Sequence, residues 1–318
     1  MTPELGNPRT LPPGLQVIER GWLSSNSVLL GGDERGAVLI DSGYCTHAQQ
    51  TASLLAEALA ADAPGRPLRL IVNTHLHSDH CGGNAHLQTL HQCPIWIPPG
   101  DFGAAKNWDE TKLSYSATGQ KCPRFAPTRA LAPGERLRQA ERDWEVHAAP
   151  GHDPHSIILF EPESRLLVSA DALWERGFGI VFPEIDGEDA FAEVETTLDV
   201  IESLNPSLVV PGHGAPFDDI PSALREARSR LAFFRQRPER HARHAAKALI
   251  MFHLLEASSQ AQQPLLDRLM VTPIHRKLWQ GYFQSQSLQS WSIELIDELL
   301  KSGAIRRREE QLQPSRAQ

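Results

Sequence analysis

At 318 residues, 41% hydrophobic and 22% charged, the chain is long enough for one large domain and a small one, with the composition of an ordinary globular protein. A net charge of −8 is moderate, and no apolar run approaches the ~20 residues that cross a bilayer, which excludes a membrane-spanning helix. Four cysteines without a C-x-x-C pair, and a Pro-rich start (Met1 to Pro13) lacking a signal-peptide pattern, point to a reduced cytoplasmic protein rather than a disulfide scaffold.

Taken in order, residues 1–16 read as an N-terminal extension. Val17 to Trp22 and Ser27 to Leu30 then read as short strands. Gly31-Gly32-Asp33 is hairpin material, and Ala37 to Ile40 is a buried strand ending in Asp41. Thr46 to Ala61 has helical spacing and ends at Pro64-Gly65. Leu68 to Asn73 returns to a sheet, and directly after it comes His75-Leu76-His77-Ser78-Asp79-His80-Cys81-Gly82-Gly83. Residues two apart on a strand end point the same way, so His75 and His77 can converge on one cation. Asp79 and His80 lie past the strand and can face a second cation beside it, and Gly82 and Gly83 permit a tight corner.

Pro98 to Pro133 reads as a long irregular segment and a candidate substrate wall, with Trp108, Tyr115 and Arg124 as candidate contacts. Trp144 to Ala148, Ile157 to Phe160 and Leu166 to Ser169 are strands, and Glu188 to Leu204 is an amphipathic helix. Leu208 to Val210 is a short strand leading into Pro211-Gly212-His213-Gly214. Near residue 220 the charge changes sign: residues 1–220 hold 15 Lys and Arg against 30 Asp and Glu, and residues 221–318 hold 16 against 9. Helices are expected over 223–235, 242–256 and 292–301, followed by Gly303, a short apolar-to-basic strand through Arg306-Arg307-Arg308, and a frayed tail over 311–318. A basic end of this kind either holds nucleic acid or pairs with the acidic part. Its apolar helical residues (Leu254, Leu265, Trp279 among them) can pack on the rest of the chain or on a second copy, as in a homodimer.

The H-x-H-x-D-H-x-G-G string resembles the signature of the metallo-β-lactamase superfamily, and the resemblance continues through Pro150-Gly151-His152, Ser169-Ala170-Asp171 and Pro211-Gly212-His213-Gly214 over roughly residues 17 to 217. It implies an α/β fold, the αββα sandwich, as a catalytic domain over 17–220. A small helical domain over 221–310 resembles the winged-helix modules that some members carry. Carried over residue by residue, it implies two divalent metal ions: one held by His75, His77 and His152, the other by Asp79, His80 and His213, with Asp171 bridging them. Zinc is the default, and iron or manganese also suits imidazole and carboxylate ligands. An aspartate at the place of Asp41 would hydrogen-bond around the metal loop without binding metal.

Such a pair of ions makes a hydroxide available near neutral pH and polarises the bond under attack. Asp79 would double as ligand and catalytic proton acceptor. His155, three residues past a ligand, is a substrate contact or a turn residue. Class B1 β-lactamases use cysteine where Asp171 stands. Glyoxalase II is similar in all seven ligands but usually carries His and Trp where this chain has Leu76 and Ser78. The leading expectation is therefore hydrolysis of a small-molecule ester, thioester or lactone. The alternative is a metal-dependent ribonuclease that holds RNA on the basic C-terminal module.

Overall fold

Alternation along the strands decides the layering. The computed structural model describes residues 11–315 apart from 63, 64 and 186. In it, β1 (Leu15–Ile18), β2 (Ser27–Leu30), β3 (Ala37–Ile40), β4 (Leu68–Val72), β5 (Ile95–Ile97) and β6 (Arg129–Ala130) form one sheet in that order. The first two junctions are antiparallel and the next three parallel. A second sheet runs β11-β10-β9-β8-β7, built from β7 (Arg136–Gln139), β8 (Arg142–Ala148), β9 (Ile157–Glu161), β10 (Leu166–Ala170) and β11 (Leu208–Pro211). Only the β10–β11 junction is parallel in that sheet.

Successive side chains on a strand face opposite ways. Val28, Leu30, Val38, Ile40, Leu70 and Val72 accordingly share one buried cluster with Val146, Leu159, Val168 and Val210, which is the core between the two sheets. The intervening Leu29, Leu39 and Ile71 face outward onto Leu55 of α1 (Ala48–Asp62) and Leu87 of α3 (Asn84–His91), with the four-residue α2 (Ser78–Cys81) lying between those helices in the chain. On the other sheet, Ile158, Phe160, Leu167 and Val209 pack outward against a further helix layer. Helix, sheet, sheet and helix therefore follow from a period of two in the strands, and the fold is the expected αββα sandwich.

Several sequence expectations need correction. Pro98 to Pro133 is not structureless: it contains α4 (Pro99–Asn107), α5 (Tyr115–Thr118) and β6. Its prolines argued against a helix, yet Pro99 stands at the first helical position, where its missing N–H costs nothing. Of the candidate contacts there, Tyr115 is buried and Trp108 half-buried. Their rings sit 6.0 Å apart, Tyr115 is 3% exposed, and Trp108 packs on the core beside Phe125. Arg124 is exposed and donates to the Lys106 carbonyl.

Past the short α6 (Phe182–Ile185), α7 (Ala190–Leu204) and α8 (Ile220–Gln236) cover the second sheet. The boundary drawn at residue 220 thus divides this layer, because Leu224, Ala227 and Leu231 of α8 belong to the same cluster as Leu198 and Ile201 of α7. The next cluster joins α9 (Pro238–Ala257), α10 (Gln262–Val271), α11 (Pro273–Tyr282) and α12 (Leu288–Lys301) around the fully buried Trp291. A small antiparallel sheet of β12 (Gln260–Ala261), β14 (Gln311–Pro314) and β13 (Ile305–Arg308) edges it, in the order β12-β14-β13. Residues Gln311–Pro314, read as tail, are therefore a paired strand, and Leu312 is fully buried. At the other end, β1 starts at Leu15 and ends at Ile18, so the expected strand to Trp22 is shorter; most of the N-terminal extension lies outside the described residues.

Candidate metal centre

Four chain segments meet at one end of the two sheets: those following β4, β8, β10 and β11. Backbone hydrogen bonds join them across the sandwich. Ile157 N donates to Thr74 O at 2.9 Å, Gly212 N to Ala170 O at 2.7 Å and Ser25 N to Asp79 O at 2.9 Å. Asn26, which no sequence pattern singles out, donates through its side chain to the carbonyls of Pro211 and Gly214 and so fixes the loop of His213. Two non-glycine residues flanking the centre adopt left-handed backbone, Asp41 at φ 59° and Ala170 at φ 46°. That conformation costs on the order of 1–3 kcal/mol, and surrounding bonds must hold it.

The seven residues expected from the sequence all arrive here, in two groups. Donor atoms of His75, His77 and His152 lie within 4.8 Å of one another, and so do those of Asp79, His80, Asp171 and His213. In the first group, His77 Nδ1 and His152 Nε2 face each other at 2.8 Å. In the second, Asp79 Oδ2 is 3.1 Å from His213 Nε2. Asp171 links the groups: its Oδ2 lies 3.3 Å from His152 Nε2, and its Oδ1 lies 3.4 Å from His80 Nε2 and 3.9 Å from His213 Nε2. Gly212 is required at its position, because a Cβ there would collide with Asp171 Oδ1 and lie 3.0 Å from His80 Cε1.

The tautomers follow from the surrounding bonds. Thr74 Oγ1 donates to Asp41 Oδ2 at 2.8 Å, so it accepts from His75 Nδ1 at 3.1 Å and leaves His75 Nε2 as a lone pair. That nitrogen is buried with no hydrogen-bond partner, and His80 Nε2 is in the same position. His80 Nδ1 donates to Asp41 Oδ2 at 2.8 Å, and His152 Nδ1 donates to Ile180 O at 2.7 Å. A buried ring nitrogen without a hydrogen-bond partner in each group fits a cation there, as does a donor set of imidazole and carboxylate. Asp41 thus takes the orienting role expected of it and binds Thr74 N as well, at 2.9 Å.

Electrostatics agree. Burial, with the neighbouring imidazoles, pushes the His75 proton affinity well down, and burial with His77 lowers His152 to about 4. Burial also lowers His77. His80 goes the other way: burial opposes protonation, but the Asp171 and Asp41 carboxylates outweigh it and raise it well above the ordinary value. The first group therefore offers neutral lone pairs, and the second holds surplus negative charge that calls for a positive one.

Around this cluster lie further residues, of which Trp22 and Asp153 carried no sequence signal. Trp22, 50% exposed, stacks on the His213 ring at 5.2 Å, and Trp174 meets His213 edge-on and donates from Nε1 to Asp171 Oδ1 at 3.1 Å. Asp153 Oδ2 lies 3.8 Å from His77 Nε2, behind the ring. His155 rests against Gly100, with Nε2 4.0 Å from Asp101 Oδ1 and its side chain 42% exposed. Leu76, where glyoxalase II usually has His, is buried in the core, and Ser78 Oγ donates to Gln120 Oε1 at 2.7 Å, tying the metal loop to the segment after α5. Cys81 is a packed thiol, 3.2 Å from the Tyr115 hydroxyl.

The model of the metallo-beta-lactamase superfamily matches residues 20–213, a span that holds all seven cluster residues. The chain belongs to that superfamily. Its members are metal-dependent, and the hydrolases among its relatives share this framework. Among similar proteins is the acyl-coenzyme A thioesterase MBLAC2 of Gallus gallus, 28% identical over 212 residues (62% of this chain and 76% of that one). The hydroxyacylglutathione hydrolase GloC of Haemophilus influenzae is 24% identical over 211 residues, 63% of this chain and 91% of its own. Among solved structures, the metallo-beta-lactamase family protein TTHA1429 from Thermus thermophilus superimposes with a TM-score of 0.58 at 19% identity, covering 96% of this chain and 100% of that one. That likeness shows the fold, and the superposition extends over the C-terminal helices.

Proposed function

We propose that this protein is a dinuclear metal-dependent hydrolase that cleaves a small ester or thioester, with zinc as its default metal. The observation that carries the reading is Asp171, whose two oxygens face two separate nitrogen groups. His75, His77 and His152 would hold one ion and Asp79, His80 and His213 the other. The ions, when bound, supply a water of lowered pKa and polarise the carbonyl oxygen.

The chain's own groups do the rest. Asp41 and the Ile180 carbonyl hold the His80 and His152 imidazoles on their far nitrogens, so those rings keep one orientation, and Asp153 stands 3.8 Å from His77 Nε2. Asp79, whose side chain is 15% exposed, accepts the proton of the attacking water. The water oxygen bonds to the carbonyl carbon, the carbon–sulfur or carbon–oxygen bond breaks, and the thiol or alcohol leaves with a proton. Trp22 and Trp174 wall the cleft on the His213 side and Phe182 stands by His77, which suits an acyl group lying across apolar rings. The thioesterases among the relatives favour the thioester.

A ribonuclease is the second reading, favoured by the exposed Arg306, Arg307 and Arg308 on β13. The order helix, strand, three helices and two strands from α9 to β14 supports a winged helix, and with it the division into a catalytic and a C-terminal domain. A cytoplasmic location and a homodimer belong to the same proposal.

One panel separates the readings: metal content together with turnover of acyl-coenzyme A, S-lactoylglutathione and single-stranded RNA. Thioester cleavage abolished by His77→Ala and Asp171→Ala supports the first reading. RNA cleavage without thioester cleavage overturns it, and RNA affinity that falls steeply with salt and is eased by replacing Arg306 to Arg308 would place RNA on the wing.

A further inference from the structure

A cavity of about 560 Å³ opens between α8, α9 and α12, apart from the candidate metal centre. Its lining includes Arg230, Arg240, Arg243 and Lys247 against two carboxylates, Glu226 and Glu298. A solvated salt-bridge cluster would account for part of the wall. Arg243 pairs with Glu294 and Glu298, both at 2.5 Å, and Lys247 reaches Glu298 at 3.3 Å. It does not account for Arg230 and Arg240, which have no carboxylate within ion-pair distance among the described residues. The contrast lies on α8 itself. Arg228 is neutralised by Asp199 and Glu202 at 2.8 and 2.7 Å, and Arg235 by Glu195 at 2.6 Å, because both face α7. Arg230 faces the cavity instead.

Two further features say what kind of anion fits. Phe233, on the same rim, is 44% exposed beside these guanidinium groups, an apolar surface that water does not favour and a planar base does. Arg237 lies over that ring at 5.8 Å and adds another cation to the rim. Forked guanidinium donors match the paired oxygens of a phosphate. Arg230 also connects the cavity to the catalytic loop. Its Nη1 lies 2.6 Å from where a Gly177 Cβ would stand, and Gly177 O accepts from Trp174 N at 2.7 Å in the loop that carries Asp171.

We propose that this cavity is a binding site for a nucleoside phosphate, with the phosphates on Arg230 and Arg240 and the base on Phe233. The site stands independently of the hydrolase reading. Where that reading holds, the cavity favours an acyl carrier bearing a phosphorylated nucleotide over a tripeptide thiol such as glutathione, which offers no base to stack.

The test is calorimetric titration of the full chain, at low salt, with coenzyme A, adenosine 3′,5′-bisphosphate, hexa-adenylate RNA, glutathione and inorganic pyrophosphate. Coenzyme A and the bisphosphate should bind at least tenfold tighter than glutathione. The double substitution Arg230→Ala/Arg240→Ala should weaken them at least tenfold, with an unchanged melting temperature as the folding control. Phe233→Ala should weaken the base-bearing ligands and leave pyrophosphate as it was. RNA binding tighter than coenzyme A, and lost in the same double variant, keeps the nucleoside phosphate site and assigns its source to a polynucleotide. No nucleotide binding, or binding indifferent to the double substitution, overturns the proposal. Because heat and not turnover is read, either outcome is separable from success or failure of the hydrolase assay.

Discussion

Asp41 illustrates how much one side chain can organise without touching a metal or a substrate. Its carboxylate receives Thr74 N, Thr74 Oγ1 and His80 Nδ1, and it does so from a left-handed backbone, which aspartate tolerates better than most side chains. Asp41→Ala should lower metal affinity by about 10–100-fold, the usual loss when a ligating histidine is no longer held, as read by competition with a chelating dye. Asp101 offers a second test. Burial, with Asp153 nearby, raises its carboxyl to about 7. A proton is therefore bound more tightly in the folded chain than in the unfolded one between about pH 4 and 7, and stability falls as pH rises through that window. Asp101→Asn removes the ionisation, so it should raise the unfolding free energy by about 1–3 kcal/mol at about pH 8 and by little at about pH 4, as measured by denaturant titration at the two pH values.

Between elements, the contact that decides the site's outer wall is the packing of the C-terminal helices on the segment after α5. Glu256, at the end of α9, accepts from Tyr44 Oη at 3.0 Å and pairs with Lys121 Nζ at 3.1 Å and Arg268 Nη2 at 2.8 Å. Arg268 also donates to Gly119 O at 2.7 Å. Burial opposes its charge, but these cations hold the Glu256 carboxyl below its usual value. Glu256→Ala leaves the partly buried Arg268 without its carboxylate while Lys121 stays solvated, and should cost about 1–3 kcal/mol, seen as a lower denaturant midpoint. It should also loosen Gln120 from Ser78, so a rise in KM larger than the fall in kcat is expected in the thioester assay. Sequence patterning found the long amphipathic helices and the buried strands. It missed β5, β7, α4, α10 and α11, because each is short or proline-led and carries too few turns for a period to show.

For the whole molecule, the cation cluster and the helix layer should behave as structural parts. Dialysis against a chelator should lower the melting temperature, and zinc at about a hundredfold excess over its Kd should restore about 3 kcal/mol, as followed by calorimetry. A chain cut after residue 219 should be insoluble or bind a hydrophobic dye, because removing α8 uncovers Leu198, Ile201 and the outward face of the second sheet.

The spacing of the H-x-H-x-D-H string was enough to bring His75, His77, Asp79 and His80 to one place, since a strand end fixes which side chains share a direction, and the resemblance to the superfamily supplied His152, Asp171 and His213 from farther along the chain. The alternation of apolar residues was enough for the sandwich, since it sets which face of each strand is buried. What only folding decided were the partners brought in from far along the chain: Asn26 on the His213 loop, Trp22 on its ring, and Arg230 against Gly177. Those contacts depend on how two sheets and a C-terminal helical layer dock, and no local pattern encodes the distance between residues far apart in the chain.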